Sequence, residues 1–219
     1  MRLYEFITEA GEPSDPSRRS FLHKAAAGGL AAAGIQPAAA APASSPKYGP
    51  PLLGRNVDAE EMLHKYARAA GIKGVELAQF LAQCYHETAG FAQMQEIGDP
   101  KYFLRYDPKV DPIKAKQLGN TYPGDGVRYK GRGFIQITGR DNYRRAGEAL
   151  GIPLEERPEL ASRPDIASKI AIWYWKNRVR PNVSNFQDTR SVTKQINPNL
   201  NGLQSRHENF KDYINVFRI

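Results

Sequence analysis

Cysteine is almost absent from this chain, since Cys84 is the only one among 219 residues. A single cysteine excludes an intramolecular disulfide and a zinc site built from several thiolates. Long apolar runs are also missing, because no stretch approaches the roughly 20 apolar residues that a membrane-spanning helix needs. Hydrophobic residues make up 41% of the chain and charged residues 25%, which is typical of folded globular domains. We therefore expect a fold that forms without disulfides and no stable membrane span.

Acidic residues are too few to balance the basic ones, and the formal net charge is +8. Residues 1–46 carry equal numbers of acids and bases, so the whole excess lies in residues 47–219. A basic domain is attracted to polyanions, and nucleic acid and an anionic bacterial envelope both fit that description. Ordinary solubility charge is the simpler alternative.

The first 46 residues differ in composition from the rest of the chain. Arg18 and Arg19 precede an Ala/Gly-rich stretch at 25–35, and small residues follow at 39–43. This order is typical of an export signal, and the paired arginines resemble a twin-arginine signal. A disordered Ala/Pro linker is the alternative. We predict a leader over residues 1–46 and one folded domain over residues 47–219.

Apolar side chains recur at helical spacing from Tyr48 onwards, which predicts a mainly helical domain. Residues 91–123 contain four prolines and are predicted to be irregular. Asp165 and Asn201 are candidate N-caps. The predicted helices are Asp58–Ala69, Gly74–Thr88, Asp141–Leu150, a helix from Asp165 to about Asn177, Ser191–Ile196 and a last helix after Asn201.

Glu87 continues the apolar stripe of the second helix, because Phe80, Cys84 and Glu87 are four and three residues apart. A carboxylate on a core-facing stripe is costly to bury, and the C-terminal end of a helix disfavours anions. Both effects favour the neutral acid and predict a raised pKa for Glu87, as a general acid at neutral pH requires. A structural carboxylate held in a salt bridge is the alternative.

Glu96 is the candidate for a second catalytic carboxylate, with Asp99 as a competitor. The nine residues that separate Glu96 from Glu87 span about 14 Å as a helix and about 30 Å when extended. The spacing therefore allows the two carboxylates to face each other but does not require it. An isolated glutamate at this place is more often a surface acid.

The segment from Gly131 to Tyr143 contains a short alternating pattern. Ile135 and Ile137 are predicted to face the core, while Gln136 and Thr138 face away and can bind a ligand or hold a water. A hairpin edge with ordinary solvent contacts is the alternative.

Arg206 lies on the apolar stripe of the last helix, between Leu203 and Phe210. A buried guanidinium needs carboxylate partners, so Arg206 either orients a catalytic glutamate or only ties the helix down. The asparagines of the preceding segment, 196–202, either contact a ligand or shape the turn.

These features occur in an order that resembles glycoside hydrolase family 19, which includes plant-type chitinases and many bacteriophage endolysins. The resemblance covers roughly residues 58–217. Five blocks carry it: Ala82-Gln83-Cys84-Tyr85-His86-Glu87-Thr88-Ala89-Gly90-Phe91, Tyr129-Lys130-Gly131-Arg132-Gly133-Phe134-Ile135-Gln136-Ile137-Thr138-Gly139, Asp141-Asn142-Tyr143, Ala171-Ile172-Trp173-Tyr174-Trp175, and Ile196-Asn197 followed by Asn201-Gly202-Leu203 and Arg206.

The resemblance implies a mainly α, lysozyme-like helical domain with a cleft and a small β-hairpin element. It implies an inverting endo-glycosidase that hydrolyses β-1,4 bonds of an N-acetylhexosamine polymer, with no metal and no cofactor. Glu87 matches the catalytic acid, Glu96 the second carboxylate and Thr138 the hydroxyl residue that helps to hold the attacking water. The positions that match substrate-binding or supporting residues are His86, Gln136, Asn142, Tyr143, Asn197 and Arg206.

Three departures from the family pattern affect the second carboxylate and one sugar subsite, but not Glu87. Ala89-Gly90 stands where the family often has Gly-Gly, and Ile97 follows Glu96 where the family usually has asparagine. Asn197-Pro198-Asn199 replaces an Asn-Gly-Gly turn.

Peptidoglycan is the expected polymer, because the domain is basic and lacks the disulfides common in plant chitinases. Chitin is the alternative within the enzyme class, and a catalytically impaired glycan-binding or virion-associated protein is the alternative outside it. A nucleic-acid-binding protein would use the charge but leaves Glu87 unexplained, so no nucleic-acid partner is expected. We expect a monomer that reaches the periplasm or cell envelope through its leader, or a phage lysis enzyme released onto the host wall.

Overall fold

The computed structural model describes residues 57–219, so the predicted leader lies outside the described residues. Short 3-10 turns cover Leu104–Tyr106, Pro158–Ser162 and Arg180–Asn182, and a π-turn covers Trp175–Val179. No helix in this part of the chain is long and apolar enough to cross a bilayer. The helices are α1 (Val57–Ala69), α2 (Gly74–Glu87), α3 (Pro100–Phe103), α4 (Pro112–Leu118), α5 (Asp125–Arg128), α6 (Arg140–Leu150), α7 (Pro164–Tyr174), α8 (Thr189–Ile196) and α9 (Leu203–Phe217).

Helix α2 is the centre of the main core, since every residue from Leu77 to Cys84 is buried. Helix α9 packs along α2, and α1 packs against α7. Phe80 meets Trp175 edge to face, with 5.1 Å between the ring centroids. A helix buried on all sides belongs inside a fold, and α2 contacts α1, α8 and α9. The prediction of a mainly helical domain is confirmed.

Residues 91–123 are more regular than the sequence predicts. Asp99 accepts a hydrogen bond from the Lys101 backbone N–H at 2.7 Å, and Asp111 accepts one from Lys114 at 2.9 Å. Each aspartate is followed by a proline at the first helical position, where the missing N–H has no effect on the helix. Two of the four prolines therefore start helices instead of breaking them.

The predicted β-hairpin is reduced to a single pair of bridged residues. Arg132 and Ile137 exchange two backbone hydrogen bonds, of 3.2 and 2.9 Å, around a four-residue turn. Gln95 bridges Arg132 on its other side, and no strand forms within residues 57–219. Gln136 has a φ of 51°, and this left-handed backbone interrupts the alternation that the sequence predicted.

The two predicted N-cap residues, Asn201 and Asp165, do not cap their helices. Gly202, with a φ of 71°, takes the N-cap position of α9 instead of Asn201. Helix α7 begins at Pro164, so Asp165 lies inside its first turn and pairs with Arg163. The helices themselves are correctly predicted, and only the capping residues differ.

Candidate active site

Glu87 is the last residue of α2, and an unusual turn follows it. The Thr88 hydroxyl donates to the Cys84 carbonyl at 2.7 Å and accepts from the Phe91 N–H at 3.0 Å. Ala89, Gly90 and Phe91 all have left-handed φ angles, of 48°, 78° and 63°. Such angles are costly for residues other than glycine and tend to concentrate at functional sites. The turn ends the helix abruptly and directs the chain away from Glu87.

The Glu87 carboxylate pairs with Arg206 of α9. Its side chain is 22% exposed, whereas that of Arg206 is 1% exposed. Arg206 also donates to the Gln83 side-chain oxygen at 2.6 Å and to the Asn201 carbonyl at 3.2 Å. The guanidinium favours the charged carboxylate, which opposes the effect of burial and of the helix terminus. The raised pKa of Glu87 therefore stays a prediction.

Two neutral groups are buried close to Glu87. Burial, together with the charge of Glu87, raises the pKa of the Cys84 thiol, so Cys84 is not a thiolate nucleophile. Burial raises the pKa of Tyr174 to about 12. Buried Arg206, in contrast, is a charged group that pairs with Glu87 from the protein interior.

His86 is directed to a different neighbour from Glu87. Its Nδ1 atom lies 3.1 Å from the Ser205 hydroxyl. Its ring lies against Gly202, where an added Cβ would come within 2.2 Å of the ring. The absence of a side chain at residue 202 therefore makes room for His86 beside the start of α9.

Glu96 is fixed by both its backbone and its side chain to Gly131. The Glu96 N–H donates to the Gly131 carbonyl at 2.7 Å, and the Gly131 N–H donates to Glu96 Oε2 at 3.0 Å. The Tyr106 hydroxyl lies 3.3 Å from Glu96 Oε1. A Cβ on Gly131 would be 3.1 Å from Glu96 Oε2 and 3.0 Å from Gln136 Oε1. The glycine therefore lets both polar side chains approach the backbone at residue 131.

Gln136, Thr138 and Asn142 form a connected polar edge. The Gln136 amide donates to the Gly133 carbonyl at 2.9 Å, and the Thr138 hydroxyl donates to the Gln136 carbonyl at 2.9 Å. Asn142 donates to the Thr138 carbonyl at 2.7 Å. Its buried Oδ1 atom accepts no hydrogen bond from the described residues. Because the Thr138 proton is used internally, its oxygen lone pairs remain suited to accept from a water.

Two predicted substrate-binding residues, Tyr143 and Asn197, make structural contacts. Tyr143 is completely buried, and its hydroxyl donates to the Lys130 carbonyl at 2.7 Å and accepts from Arg132 at 2.9 Å. It has no exposed surface to offer a sugar, so its predicted role is corrected to support of the 130–132 segment. The Asn197 backbone accepts from the Leu200 N–H at 2.9 Å, as expected if Asn197 shapes the turn.

The loop between the two glutamates connects two groups of predicted site residues. The first contains Glu87, His86 and Arg206, and the second surrounds Gly131. Within the loop, the Gln93 N–H donates to the Thr88 carbonyl at 3.0 Å, and the Met94 carbonyl accepts from the Gly133 N–H at 2.8 Å. The nine-residue gap is therefore neither helical nor extended, and the folded loop holds Glu96 against the 131–138 segment.

Sequence reasoning missed two residues of this site, Gln83 and Tyr106. The sequence contained a pattern that points to Gln83, because Gln79, Gln83 and Glu87 recur every four residues along a largely apolar helix. No sequence pattern points to Tyr106, since its contact with Glu96 depends on the folding of residues 97–106. Across the described residues, no cluster of three or more His, Cys, Asp or Glu side chains is placed to hold a metal ion.

Comparisons with known proteins identify the family of this chain. The chain is 34% identical over 163 residues to a glycosyl hydrolase family 19 domain-containing protein of Haemophilus influenzae, which covers 64% of this chain and 78% of that protein. It is 36% identical over 146 residues to an endochitinase of Arabidopsis thaliana, which covers 63% of this chain. The match spans 47% of the plant protein, less than half its length.

A solved structure has a similar fold. Chitinase C from Streptomyces griseus superposes with a TM-score of 0.55 at 26% sequence identity, and the match covers 75% of this chain and 72% of the chitinase. The family model described as chitinase class I, Glyco_hydro_19, matches residues 60–206. These residues include Glu87, Glu96, Thr138 and Arg206. The chain therefore belongs to glycoside hydrolase family 19.

Proposed function

We propose that this glycoside hydrolase is an inverting endo-glycosidase that cuts β-1,4 bonds in peptidoglycan, with Glu87 as the catalytic acid. The observation that carries the proposal is the Glu87–Arg206 pair, in which a partly exposed carboxyl is held by a buried guanidinium. Such a pair fixes the direction of the carboxyl group, and the partial exposure of the Glu87 side chain leaves it accessible to a substrate.

In the proposed reaction Glu87 donates a proton to the oxygen of the scissile glycosidic bond. Glu96 accepts a proton from the water that attacks the opposite face of the sugar, as inverting glycosidases require. Thr138 helps to hold this water, because its hydroxyl oxygen can still accept a hydrogen bond. The bond to the leaving group breaks as the bond to water forms, and Glu87 ends ionised beside Arg206.

Peptidoglycan is the proposed polymer because residues 47–219 carry the net charge of +8, which suits an anionic wall. Chitin is the second candidate, and the names of the matched endochitinase and chitinase favour it. Both polymers offer a β-1,4 bond beside an N-acetylated sugar. Digestion of purified peptidoglycan and of chitin oligosaccharides, followed by chromatography of the products, distinguishes them.

Replacement of the acid tests the proposed mechanism. Glu87→Gln retains an oxygen that can accept from Arg206, so the fold is expected to persist. The rate of glycan hydrolysis is expected to fall at least about 10²-fold, the contribution of a general acid. The measurement is the release of reducing ends, with unfolding followed by circular dichroism.

The matched control is Glu208→Gln, an equal change of charge at an exposed position on α9. This variant is expected to hydrolyse the glycan at the wild-type rate. Full activity in Glu87→Gln would remove Glu87 from the mechanism. If the wild-type protein binds glycan but cuts neither polymer, the enzyme proposal is wrong and a binding role remains.

The anomer formed first tests inversion. Hydrolysis of a β-linked oligosaccharide with inversion gives the α-anomer, and this is visible by proton NMR before mutarotation. Initial formation of the β-anomer would exclude the proposed pathway.

We also infer that residues 1–46 direct export through a twin-arginine route, because Arg18 and Arg19 precede a weakly apolar stretch. A reporter fused to residues 1–46 is expected outside the cytoplasm, and substitution of both arginines by lysine should retain it inside. A wild-type fusion found only in the cytoplasm would contradict this proposal.

A further inference from the structure

Four polar side chains form two buried hydrogen-bonded pairs between α2 and α8. Each pair is called a rung: Gln79–Thr189 is the lower rung and Gln83–Thr193 the upper rung. Gln79 donates to the Thr189 hydroxyl at 2.7 Å, and Gln83 donates to the Thr193 hydroxyl at 3.2 Å. All four residues are buried. Both pairs are separated by 110 residues in the chain, so the two helices run in the same direction and remain in register over one turn. Each of these hydrogen bonds requires a polar side chain of suitable length on α2 and another on α8.

The upper rung, Gln83–Thr193, continues to the catalytic carboxyl. The Gln83 amide nitrogen points to Thr193, which leaves its oxygen to accept from Arg206 Nη1 at 2.6 Å. Arg206 then pairs with Glu87 through its other terminal nitrogen. The orientation of the Gln83 amide is therefore determined by Thr193, and the orientation of the guanidinium is determined in part by Gln83.

The lower rung, Gln79–Thr189, is also a glutamine–threonine pair, but neither of its residues forms a hydrogen bond with Arg206, and the Thr189 hydroxyl lies 3.2 Å from His207 Nδ1. The Gln83 amide lies 3.4 Å from the Gln79 oxygen, a weaker contact than the one with Thr193. The two rungs thus form a natural pair for comparison. Both contribute to the packing of α2 against α8, but only the upper one reaches the active site.

We propose that Gln83 is a positioning residue that acts on Glu87 through Arg206. This inference rests on the proposed role of Glu87 as the acid. Without the Gln83 oxygen, the guanidinium loses a fixed acceptor in a buried site and no longer holds the Glu87 carboxyl in one orientation. A small displacement of a catalytic group has a large effect on rate, about 10²-fold for 1 Å.

The expected change is in kcat and in its pH dependence. The neighbours of Glu87 include Cys84 from α2, Tyr174 from α7 and Arg206 from α9. Of these, Arg206 carries a positive charge, so a looser guanidinium stabilises the carboxylate less. The basic limb of the kcat profile, which reports the loss of the Glu87 proton, is expected to move to higher pH.

The test compares Gln83→Leu with Gln79→Leu in the full chain, using a glycan that the wild-type protein cuts. Gln83→Leu is expected to lower kcat by about 10- to 100-fold, to change KM by less than about twofold and to shift the basic limb upwards. Gln79→Leu is expected to lower the thermal stability by a similar amount while the pH profile of kcat stays unchanged. Thr193→Val, which removes the Gln83 acceptor without a change of shape, is expected to show a smaller shift in the direction of Gln83→Leu.

A folded Gln83→Leu variant with the wild-type kcat and pH profile would overturn the inference. So would equal losses of kcat in the two leucine variants, because these would show a purely structural role. If Gln83→Leu does not fold, Thr193→Val decides, and an unchanged pH profile in that variant overturns the inference. Full activity in Glu87→Gln would instead overturn the proposed acid, and the positioning role with it.

Discussion

At the scale of single residues, the candidate site depends on glycine as much as on its polar side chains. Gly202 has a φ of 71° and leaves the space that the His86 ring occupies. Gly131 leaves space for the side chains of Glu96 and Gln136, which both approach it closely. A Cβ at Gly131 would crowd its neighbours at 3.0–3.1 Å, whereas a Cβ at Gly202 would overlap the His86 ring, and the left-handed backbone there adds a second requirement for glycine.

Gly202→Ala is expected to lower both stability and activity. The left-handed backbone costs about 1–2 kcal/mol for a residue with a Cβ. The new Cβ also displaces the His86 ring, since it would lie 2.2 Å from two of its atoms. Urea unfolding measures the first effect, and release of reducing ends measures the second.

Gly151→Ala is the matched control for this prediction. Gly151 has a φ of 66° at the end of α6, and an added Cβ would meet no atom within 4 Å. The control is expected to lose similar stability and to retain full activity. Equal activities in the two alanine variants would show that displacement of His86 does not affect catalysis.

At the scale of elements, α8 is held at both ends. Asp188 accepts hydrogen bonds from the backbone N–H groups of Arg190 and Ser191 at its N-terminus. At its C-terminal end, the Gln195 carbonyl accepts from Tyr174 at 2.9 Å and from buried Arg178 at 2.7 Å. A cation is favourable at this end of a helix, and the π-turn that follows α7 contains Arg178.

Asp188→Ala is expected to lower the unfolding free energy by about 1 kcal/mol, the usual cost of a lost N-cap. It is also expected to reduce kcat modestly, because α8 carries Thr193 and through it orients Gln83. Asp111→Ala removes the equivalent cap from α4, which contains neither residue of the Gln83–Thr193 rung. If both variants lose the same stability and neither loses kcat, α8 does not transmit its alignment to the site.

A helix could be predicted from the sequence where a single local pattern of residues determined it. The helical spacing of Phe80, Cys84 and Glu87 correctly predicted α2 and placed the glutamate at its end. The alternation of Ile135 to Thr138 predicted an extended piece, but the structure forms a turn there. Hydrogen bonds from Gln136 to Gly133 stabilise this turn against the alternating pattern. The periodicity of the sequence does not reveal such contacts.

At the scale of the whole molecule, the arrangement of the predicted site residues could not be read from the sequence. The spacing of Glu87 and Glu96 allowed separations from about 14 to about 30 Å. The actual separation is determined by the fold of the 88–95 loop. This fold depends on hydrogen bonds with Gly133 and Gln136, which lie about forty residues later in the chain. Long-range pairing of this kind has no local signature in the chain.

The net charge leads to a prediction about the polymer that involves the whole domain. An excess of positive charge concentrates a polyanion near the surface, and salt screens this attraction beyond about 10 Å at 0.1 M ionic strength. Raising the ionic strength from about 0.01 to about 0.3 M is therefore expected to slow the hydrolysis of anionic peptidoglycan several-fold. A neutral chitin oligosaccharide, the control substrate, is expected to be cut at a rate that changes by less than about twofold. The measurement is the initial rate on each substrate across a salt series. An equal response for both substrates would show that the charge of +8 does not guide the enzyme to its polymer, and the charge-based preference for peptidoglycan over chitin would be withdrawn.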